Sequence, residues 1–264
     1  MTNTTVYDSV ELHGSEIRDA NPATPEELAV RRDLAAAYRL CALFGWDDLI
    51  YSHISARVPN TEDQFLVNPL GLGFDEITAS SLVKIDLKGR IIGHNDYKPN
   101  SAGFVIHGAI HSAREDVLCI MHLHTDAGMA LSMLRDGLLP LTQHAMRFHN
   151  RVGYHDYEGI ALTLEEKQRF IDDMADNTAL ILRNHGTITV GSSVAQAFVE
   201  SYYLEKSARA QLLACATGKE IIEPSPEVIQ LTAEQWAKSV GVSNGREWPT
   251  LIRKLDKIDA SYKD

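Results

Sequence analysis

The sequence predicts an α/β fold in three layers, in which helices cover both sides of a central mixed, largely antiparallel sheet. Helical and strand-like segments alternate along the chain, as in folds whose helices pack on a sheet. Two pairs of strand-like runs are joined by short turns, which argues against a purely parallel sheet. With 264 residues and 44% hydrophobic content, the chain is long enough to bury one sizeable core.

The first helix is predicted between Thr24 and Gly45. Thr24 suits the N-cap, a proline follows at the first helical position, and Glu27 completes a capping box. The run LIYSHISARV, 49–58, alternates apolar and polar residues, which predicts a strand with one buried face and one polar face open to a site. Short antiparallel strands are expected after it in the sequences QFLVN, LVKID and RIIGH.

In the middle of the chain, NSAGFVIHGAIHSARED predicts a helix with His107 and His111 stacked one turn apart. A strand at 117–124 and a short helix at 127–134 follow. The segment 138–161 is expected to be rich in loops.

The last third begins with a predicted helix in TLEEKQRFIDDMAD. TALILRNHGTITVG reads as a strand, a tight turn and a second strand, and a long helix is expected to end at Gly218. We expect an N-terminal extension over 1–24, the main domain over 25–218, and a C-terminal helical extension over 219–264 that packs on that domain.

The charge of the chain is acidic, with 36 acidic and 25 basic residues and a formal net charge of −11. No basic cluster offsets this charge, so we expect neither nucleic acid nor an anionic membrane as a partner. A small molecule is the expected partner. The three cysteines are far apart in apolar surroundings, and no signal-like or membrane-spanning run is seen, so we expect a cytoplasmic protein.

Two histidines, His122 and His124, stand one residue apart at the end of the apolar run in CIMHLHTDAG. On a strand both side chains point the same way, roughly 6 to 7 Å apart, which can bracket one metal ion. A metal requires at least one further ligand, and His185 in the turn of LILRNHGTITVG is the third candidate. Three histidines with an open position are typical of catalytic metals. The alternative is that the three only make hydrogen bonds at the strand ends.

These stretches also carry a resemblance. HGAIHSAREDVLCIMHLHTDAGMALS and LILRNHGTITVG resemble the class II aldolase/adducin family, in its adducin-like bacterial branch. GWDDLIYSHISARVP and FLVNPLGLGFDEITASSLVKID support the likeness, which covers about 26–217. The resemblance implies a class II aldolase-like fold and one divalent metal ion per chain, held by His122, His124 and His185. It implies zinc, with manganese or iron as alternatives, and a homotetramer with active sites at subunit interfaces.

The sequence departs from the sugar-phosphate aldolases of this family at two places. Their glutamate, four residues before the position of His107, is Gly103 here. Their phosphate-binding glycine-asparagine pair is Ser52-His53 here, which puts phosphate binding in doubt. Decarboxylation requires no removal of a proton from carbon, so the missing carboxylate favours it, although retro-aldol cleavage with another base stays open.

Several further residues are candidates for the site. His155 and Tyr157, in a segment that the family places at the mouth of the site, are candidate acids or bases, and His107 is a third. The candidate substrate-binding residues are Ser52, His53, Asn68, Gly71 and Arg147. For most of these the alternative is an ordinary structural role.

The function expected from the sequence is a metal-dependent lyase that breaks a C–C bond in a non-phosphorylated hydroxy- or keto-carboxylate. Decarboxylation and retro-aldol cleavage are both open. The alternative is a non-catalytic, adducin-like protein-interaction module. A redox ion that supports oxygen chemistry is a third possibility, because imidazole also suits iron.

Overall fold

The computed structural model describes residues 22–93, 95–99, 101–159 and 164–264. Its centre is a seven-stranded mixed sheet in the order β3-β2-β1-β4-β7-β6-β5. Every neighbouring pair is antiparallel except β5 and β6, which are parallel. The predicted three-layer fold with a largely antiparallel sheet is therefore confirmed.

The strands are short and most of their residues are buried. Their bounds are β1 His53–Arg57, β2 Gln64–Val67, β3 Val83–Asp86, β4 Cys119–Leu123, β5 Val152–His155, β6 Ala179–Leu182 and β7 Gly186–Gly191.

Six α-helices and three short 3-10 helices surround the sheet in the described ranges. The α-helices are α1 Pro25–Phe44, α2 Ser101–Ala113, α3 Asp126–Ser132, α4 Leu164–Met174, α5 Val194–Cys215 and α6 Pro226–Asp256. Helix α1 begins as predicted, since the side chain of Thr24 accepts a hydrogen bond from the Glu27 amide, and Gly45 ends it at φ 67°. The Glu27 carboxylate pairs with Arg31 and Lys84.

The two faces of the sheet are covered by different helices. Helices α2 and α4 pack on one face over a cluster that includes Ile120, Leu180 and Ile188. Helices α1 and α5 pack on the other face, where Ile54 and Phe198 belong to a larger cluster. Since side chains alternate along a strand, His53, Ser55 and His122 lie on the α2 face.

The structure corrects two of the predicted elements and adds a strand that the sequence did not indicate. Strand β1 begins at His53 rather than at 49, because Leu49 and Ser52 have positive φ angles of 52° and 64°. On its polar face His53 and Ser55 are buried beneath α2, where they contact His107 and His111. In the described part of the run RIIGH, residues 90–93, Ile91 makes an isolated bridge with Ile85 in place of the expected strand. The segment 138–161 contains β5, because Val152–His155 adds as a parallel strand to β6.

The C-terminal region is one helix of 31 residues, α6, with Pro249 inside it. Trp248, Leu255 and Tyr262 join the large cluster that α1 also forms. The proposed division into an extension, a domain and a C-terminal extension stays a prediction, and residues 1–21 lie outside the described ranges. Among the described residues, no helix combines the length and the apolar character needed to cross a membrane.

Candidate metal centre

The pairing of β4 with β7 brings the three predicted metal ligands together. In this antiparallel pair Leu123 faces Thr187, so His124, the next residue, lies beside Gly186 at the start of β7. His185 directly precedes Gly186 in the turn from β6. Histidines 61 residues apart in the sequence thus meet at one end of two central strands.

The turn before β7 requires a glycine. Asn184 adopts a left-handed φ of 57°, which bends the chain sharply after β6. A Cβ atom on Gly186 would lie 2.6 Å from the carbonyl oxygen of Leu123 and 3.0 Å from Cδ2 of His124. The missing side chain therefore allows β7 to start against the residue that precedes His124 and the ring of His124 itself.

The ring nitrogens of the three histidines converge. Nε2 of His124 lies 2.8 Å from Nε2 of His122 and 3.0 Å from Nε2 of His185. The candidate ligand atoms all lie within 4.8 Å of one another. Around a tetrahedral zinc ion, with Zn–N bonds of ~2 Å, ligand nitrogens are separated by roughly 3.3 Å. The two distances from Nε2 of His124 are close to that spacing.

Hydrogen bonds on the far side of two rings fix which nitrogens carry protons. Nδ1 of His124 lies 2.8 Å from Oδ2 of Asp48, and Nδ1 of His122 lies 3.2 Å from the carbonyl oxygen of Thr187. Both oxygens accept, so each Nδ1 donates and each Nε2 keeps a lone pair. Lone pairs that face one another repel, and a bound cation would remove this repulsion. The donor set therefore fits a metal ion.

Burial keeps two of these rings uncharged. It lowers the pKa of His122 well below its usual value, and the neighbouring histidines add to the shift. Burial also lowers the pKa of His185, to about 4, with a smaller contribution from His124. Neutral imidazole is the form that binds metals, so these two rings are ready to act as ligands at neutral pH.

Two further predicted residues lie next to this group. The ring of His53 has its centroid 4.8 Å from that of His122, and its Nδ1 lies 2.9 Å from Nε2 of His107. The hydrogen bonds continue from His107 to Ser55 and from Ser55 to His111. The structure therefore brings His53 and His107 to the histidine group, with His53 the nearer.

His155 and Tyr157 reach the same end of the sheet in different ways. His155 is buried, with Nδ1 2.8 Å from Asp173 and Nε2 3.5 Å from Glu166, so both nitrogens face carboxylates. Tyr157 is 53% exposed, and its ring centroid lies 6.3 Å from that of His185. Of the two, Tyr157 is the one free to meet a substrate.

The predicted substrate-binding residues in the turns around β1 and β2 are divided between the two faces. Ser52 is buried and its hydroxyl has no hydrogen-bond partner among the described residues. Asn68 accepts a hydrogen bond from Tyr38 of α1, so its side chain lies on the α1 face, away from His53. Gly71 follows in a turn at φ 94°.

Arg147 is held elsewhere by its own chain. Its guanidinium donates two hydrogen bonds to the carboxylate of Glu200, at 2.8 and 2.6 Å, and both side chains are buried. The guanidinium also lies over the rings of Tyr203 and Trp236. With this pairing, Arg147 holds α5 and α6 against the segment before β5, and we do not assign it to a substrate carboxylate.

Three residues of the site were missed by the sequence reasoning. Asp48 orients His124, and Ser55 and His111 extend the hydrogen bonds of His53. Ser55 is two residues after His53 on the same face of β1, so strand alternation could have singled it out. Asp48 carries no such signal, because it approaches His124 only through the turn that precedes β1.

Comparison with known proteins agrees with this geometry. The model of the class II aldolase and adducin N-terminal domain matches residues 32–212, which is more than half of the chain. The chain belongs to the class II aldolase and adducin family. The predicted resemblance is therefore confirmed at the level of the family.

Both aldolases and an adducin are similar to this chain. A crystal structure of an aldolase II superfamily protein from Pseudomonas syringae is 47% identical, covers 91% of this chain and 97% of its own, and superposes with a TM-score of 0.88. L-fuculose 1-phosphate aldolase from Glaciozyma antarctica PI12 is 28% identical over 94% and 97%, with a TM-score of 0.80. Rattus norvegicus alpha-adducin is 39% identical over 88% of this chain but only 34% of its own length.

Proposed function

We propose that this class II aldolase family member is a divalent-metal-dependent lyase that breaks a C–C bond in a non-phosphorylated hydroxy- or keto-carboxylate. The ligands would be His122, His124 and His185. The observation that carries the proposal is the convergence of their three Nε2 atoms, with the Nδ1 atoms of His122 and His124 already committed to other acceptors. Zinc is the metal we propose, with manganese or iron as alternatives, because imidazole binds all three.

The chemistry of such a site depends on stabilising negative charge. A bound divalent ion would supply a Lewis acid toward a keto or phenolic oxygen of the substrate, which takes up the negative charge of the carbanion left by C–C cleavage. The protein's part is to orient the substrate and to protonate the carbanion carbon. Tyr157, exposed beside His185, is the residue we propose for that protonation. His155 would support it indirectly, since its ring nitrogens face carboxylates.

The position of Gly103 favours decarboxylation over aldol cleavage. It lies in α2, one helical turn before His107, where the sugar-phosphate aldolases carry their glutamate. Without this carboxylate, a step that removes a proton is disfavoured, whereas loss of carbon dioxide requires no such step. Retro-aldol cleavage with another base is the second reaction to test.

We further propose a homotetramer with active sites at subunit interfaces, in the cytoplasm. Tyr157 and Leu49 are exposed near the ends of the site-bearing strands, and a neighbouring subunit would cover them. His155 and Arg147 are buried within their own chain, so they would not be contributed to a neighbour. Light scattering that gives a monomer would contradict this assembly.

The decisive experiment combines metal analysis with product analysis. The protein is reconstituted with zinc, manganese or iron and incubated with hydroxy acids, keto acids, sugar acids and aromatic carboxylates, while carbon dioxide and aldehyde are measured in parallel. We expect one metal ion per chain and release of carbon dioxide. Release of aldehyde without carbon dioxide would show that the protein is an aldolase and not a decarboxylase. A His185→Ala variant should lose both metal and activity, and a His149→Ala variant should retain both.

The second candidate is a non-catalytic protein-interaction module, favoured by the 39% identity to alpha-adducin. Metal content distinguishes the two functions, because the proposed lyase requires a bound metal ion whereas a protein-interaction module does not. A purified protein that holds well under one metal ion per chain after growth with added metal, and that turns over no acid, would favour the module.

A further inference from the structure

A chain of hydrogen bonds leads away from the candidate metal centre between β1 and α2. Nδ1 of His53 lies 2.9 Å from Nε2 of His107, whose Nδ1 lies 2.6 Å from Oγ of Ser55. That Oγ lies 2.8 Å from Nε2 of His111, whose Nδ1 lies 3.3 Å from the carbonyl oxygen of Val117. The four side chains are buried, so each depends on its neighbour for a hydrogen bond.

The carbonyl at the end of this relay sets the direction of every bond in it. A carbonyl oxygen only accepts, so Nδ1 of His111 carries the proton and its Nε2 accepts. The hydroxyl of Ser55 therefore donates to His111 and accepts from Nδ1 of His107. Nε2 of His107 is then an acceptor, and it takes its hydrogen bond from Nδ1 of His53. The donors and acceptors have one arrangement as long as the rings of His107 and His111 are neutral.

Burial keeps the rings of His107 and His111 neutral. It lowers the pKa of His107 well below the usual value, and the neighbouring His111 adds to the shift. Burial also lowers the pKa of His111 to about 3, aided by the charge of Arg57. At neutral pH each of these two rings therefore carries one proton, as the direction of the relay requires.

The first member of the relay is the one that meets the site. Because Nδ1 of His53 donates, its Nε2 keeps a lone pair. His53 and His122 face each other across β1 and β4, with ring centroids 4.8 Å apart. In the described part of the chain no hydrogen bond occupies this Nε2, and the convergent group consists of His122, His124 and His185 without His53. Nε2 of His53 is therefore a hydrogen-bond acceptor that lies beside the three proposed metal ligands but is not one of them.

We propose that the relay fixes His53 as a hydrogen-bond acceptor for a substrate hydroxyl beside the metal-bound oxygen, so that an acid with this hydroxyl binds more tightly than its keto analogue. His53 contacts the substrate, and His107, Ser55 and His111 position it. The preference rests on the proposed function, whereas the tautomer of His53 does not. In the complex, an analogue without the hydroxyl leaves this acceptor without a partner, which is how such sites reject it.

The tautomers are measured directly by nitrogen NMR of the metal-free protein labelled with 15N-histidine. We expect His53, assigned by its loss in His53→Asn, to be protonated at Nδ1 and not at Nε2. Protonation at Nε2, or a charged ring at neutral pH, would overturn the relay. This readout uses the wild-type chain, so it decides the proposal even where a relay variant does not fold.

The selectivity is measured by calorimetric binding of matched acids to the zinc-loaded protein: lactate and pyruvate, malate and oxaloacetate, mandelate and phenylglyoxylate. We expect the hydroxy acid of a pair to bind at least about 10-fold more tightly, and Ser55→Ala to remove most of this preference, because outer hydrogen-bond partners are typically worth about 10–100-fold. Ser207→Ala, which removes another buried hydroxyl, should keep it.

Equal binding within every pair, or binding of no acid, would overturn the hydroxy-acid preference. A protein that holds no metal but shows the expected His53 tautomer would overturn the proposed lyase and leave the relay intact. A failure of the proposed lyase function can therefore be distinguished from a failure of the relay.

Discussion

At the scale of single residues, the candidate centre depends on the partners of the histidines as much as on the histidines. His124 is oriented by Asp48, and His122 by the carbonyl oxygen of Thr187. Each partner accepts a hydrogen bond from Nδ1 of its histidine, so Nε2 of that histidine faces the centre with its lone pair. Without such a partner, a histidine ring can carry its proton on Nε2 instead, or rotate so that Nε2 no longer faces the centre.

Replacing the partner of His124 should therefore weaken metal binding without unfolding the protein. In Asp48→Asn the amide no longer carries the charge that favours Nδ1–H on His124, and we expect zinc affinity to fall about 10–100-fold. The measurement is competition with a chelating dye. Asp47→Asn, at the exposed neighbouring carboxylate, is the matched control, and an equal loss in both variants would contradict the role of Asp48.

At the scale of elements, the centre is made by one strand pair and one turn. Strands β4 and β7 lie side by side in the middle of the sheet, and the turn between β6 and β7 adds His185 to the two histidines at the end of β4. The close approach at Gly186 sets how near His185 and His124 lie. Strand β1, on the other side of β4, adds His53.

A side chain at Gly186 should push these strands apart. The Cβ of Gly186→Ala would meet a backbone oxygen at 2.6 Å, so the turn must shift, and we expect a loss of about 1–3 kcal/mol in the free energy of unfolding. Zinc affinity should fall as well. Urea denaturation and metal analysis measure the two effects. In Gly73→Ala the new Cβ meets a carboxylate oxygen of Asp75, which can move, so unchanged properties are expected there.

At the scale of the whole molecule, the buried histidines lie on one side of the sheet. The α1 and α5 side holds the large hydrophobic cluster, whereas the α2 side holds buried histidines as well as an apolar cluster. In the unfolded chain these histidines titrate near their usual pKa of 6.5, but burial depresses the pKa of His53, His107, His111, His122 and His185 in the folded state.

This difference predicts how stability depends on pH in the metal-free protein. Between pH 6.5 and about 4 the unfolded state binds more protons than the folded state, so stability falls as pH is lowered through this range. Urea midpoints of the chelator-treated protein at several pH values measure it. His111→Phe, which removes one of the buried rings, should give a shallower dependence. A flat profile between neutral pH and pH 5 would contradict the prediction.

Much of the fold was predictable because local signals and tertiary packing agree. The cap at Thr24 and the strand-turn-strand run around His185 are short-range patterns that the structure keeps. Strand β5 was not predictable, because Val152–His155 is a short run whose strand character comes from pairing with β6. The sequence predicted a helical extension over 219–264 but not one helix of 31 residues, in which Pro249 lies inside the helix.

The sequence by itself determined the family, the layered fold and the three histidines proposed as metal ligands. These depend on residue types and on their spacing along the chain, which can be read without knowing how the chain packs. Only the tertiary structure decided what each candidate touches. Arg147 pairs with Glu200, His155 faces two carboxylates, and His53 heads a relay that ends at a carbonyl. The reason is physical: a hydrogen bond needs two groups at the right distance, and residues far apart in sequence reach that distance only when the sheet and helices pack.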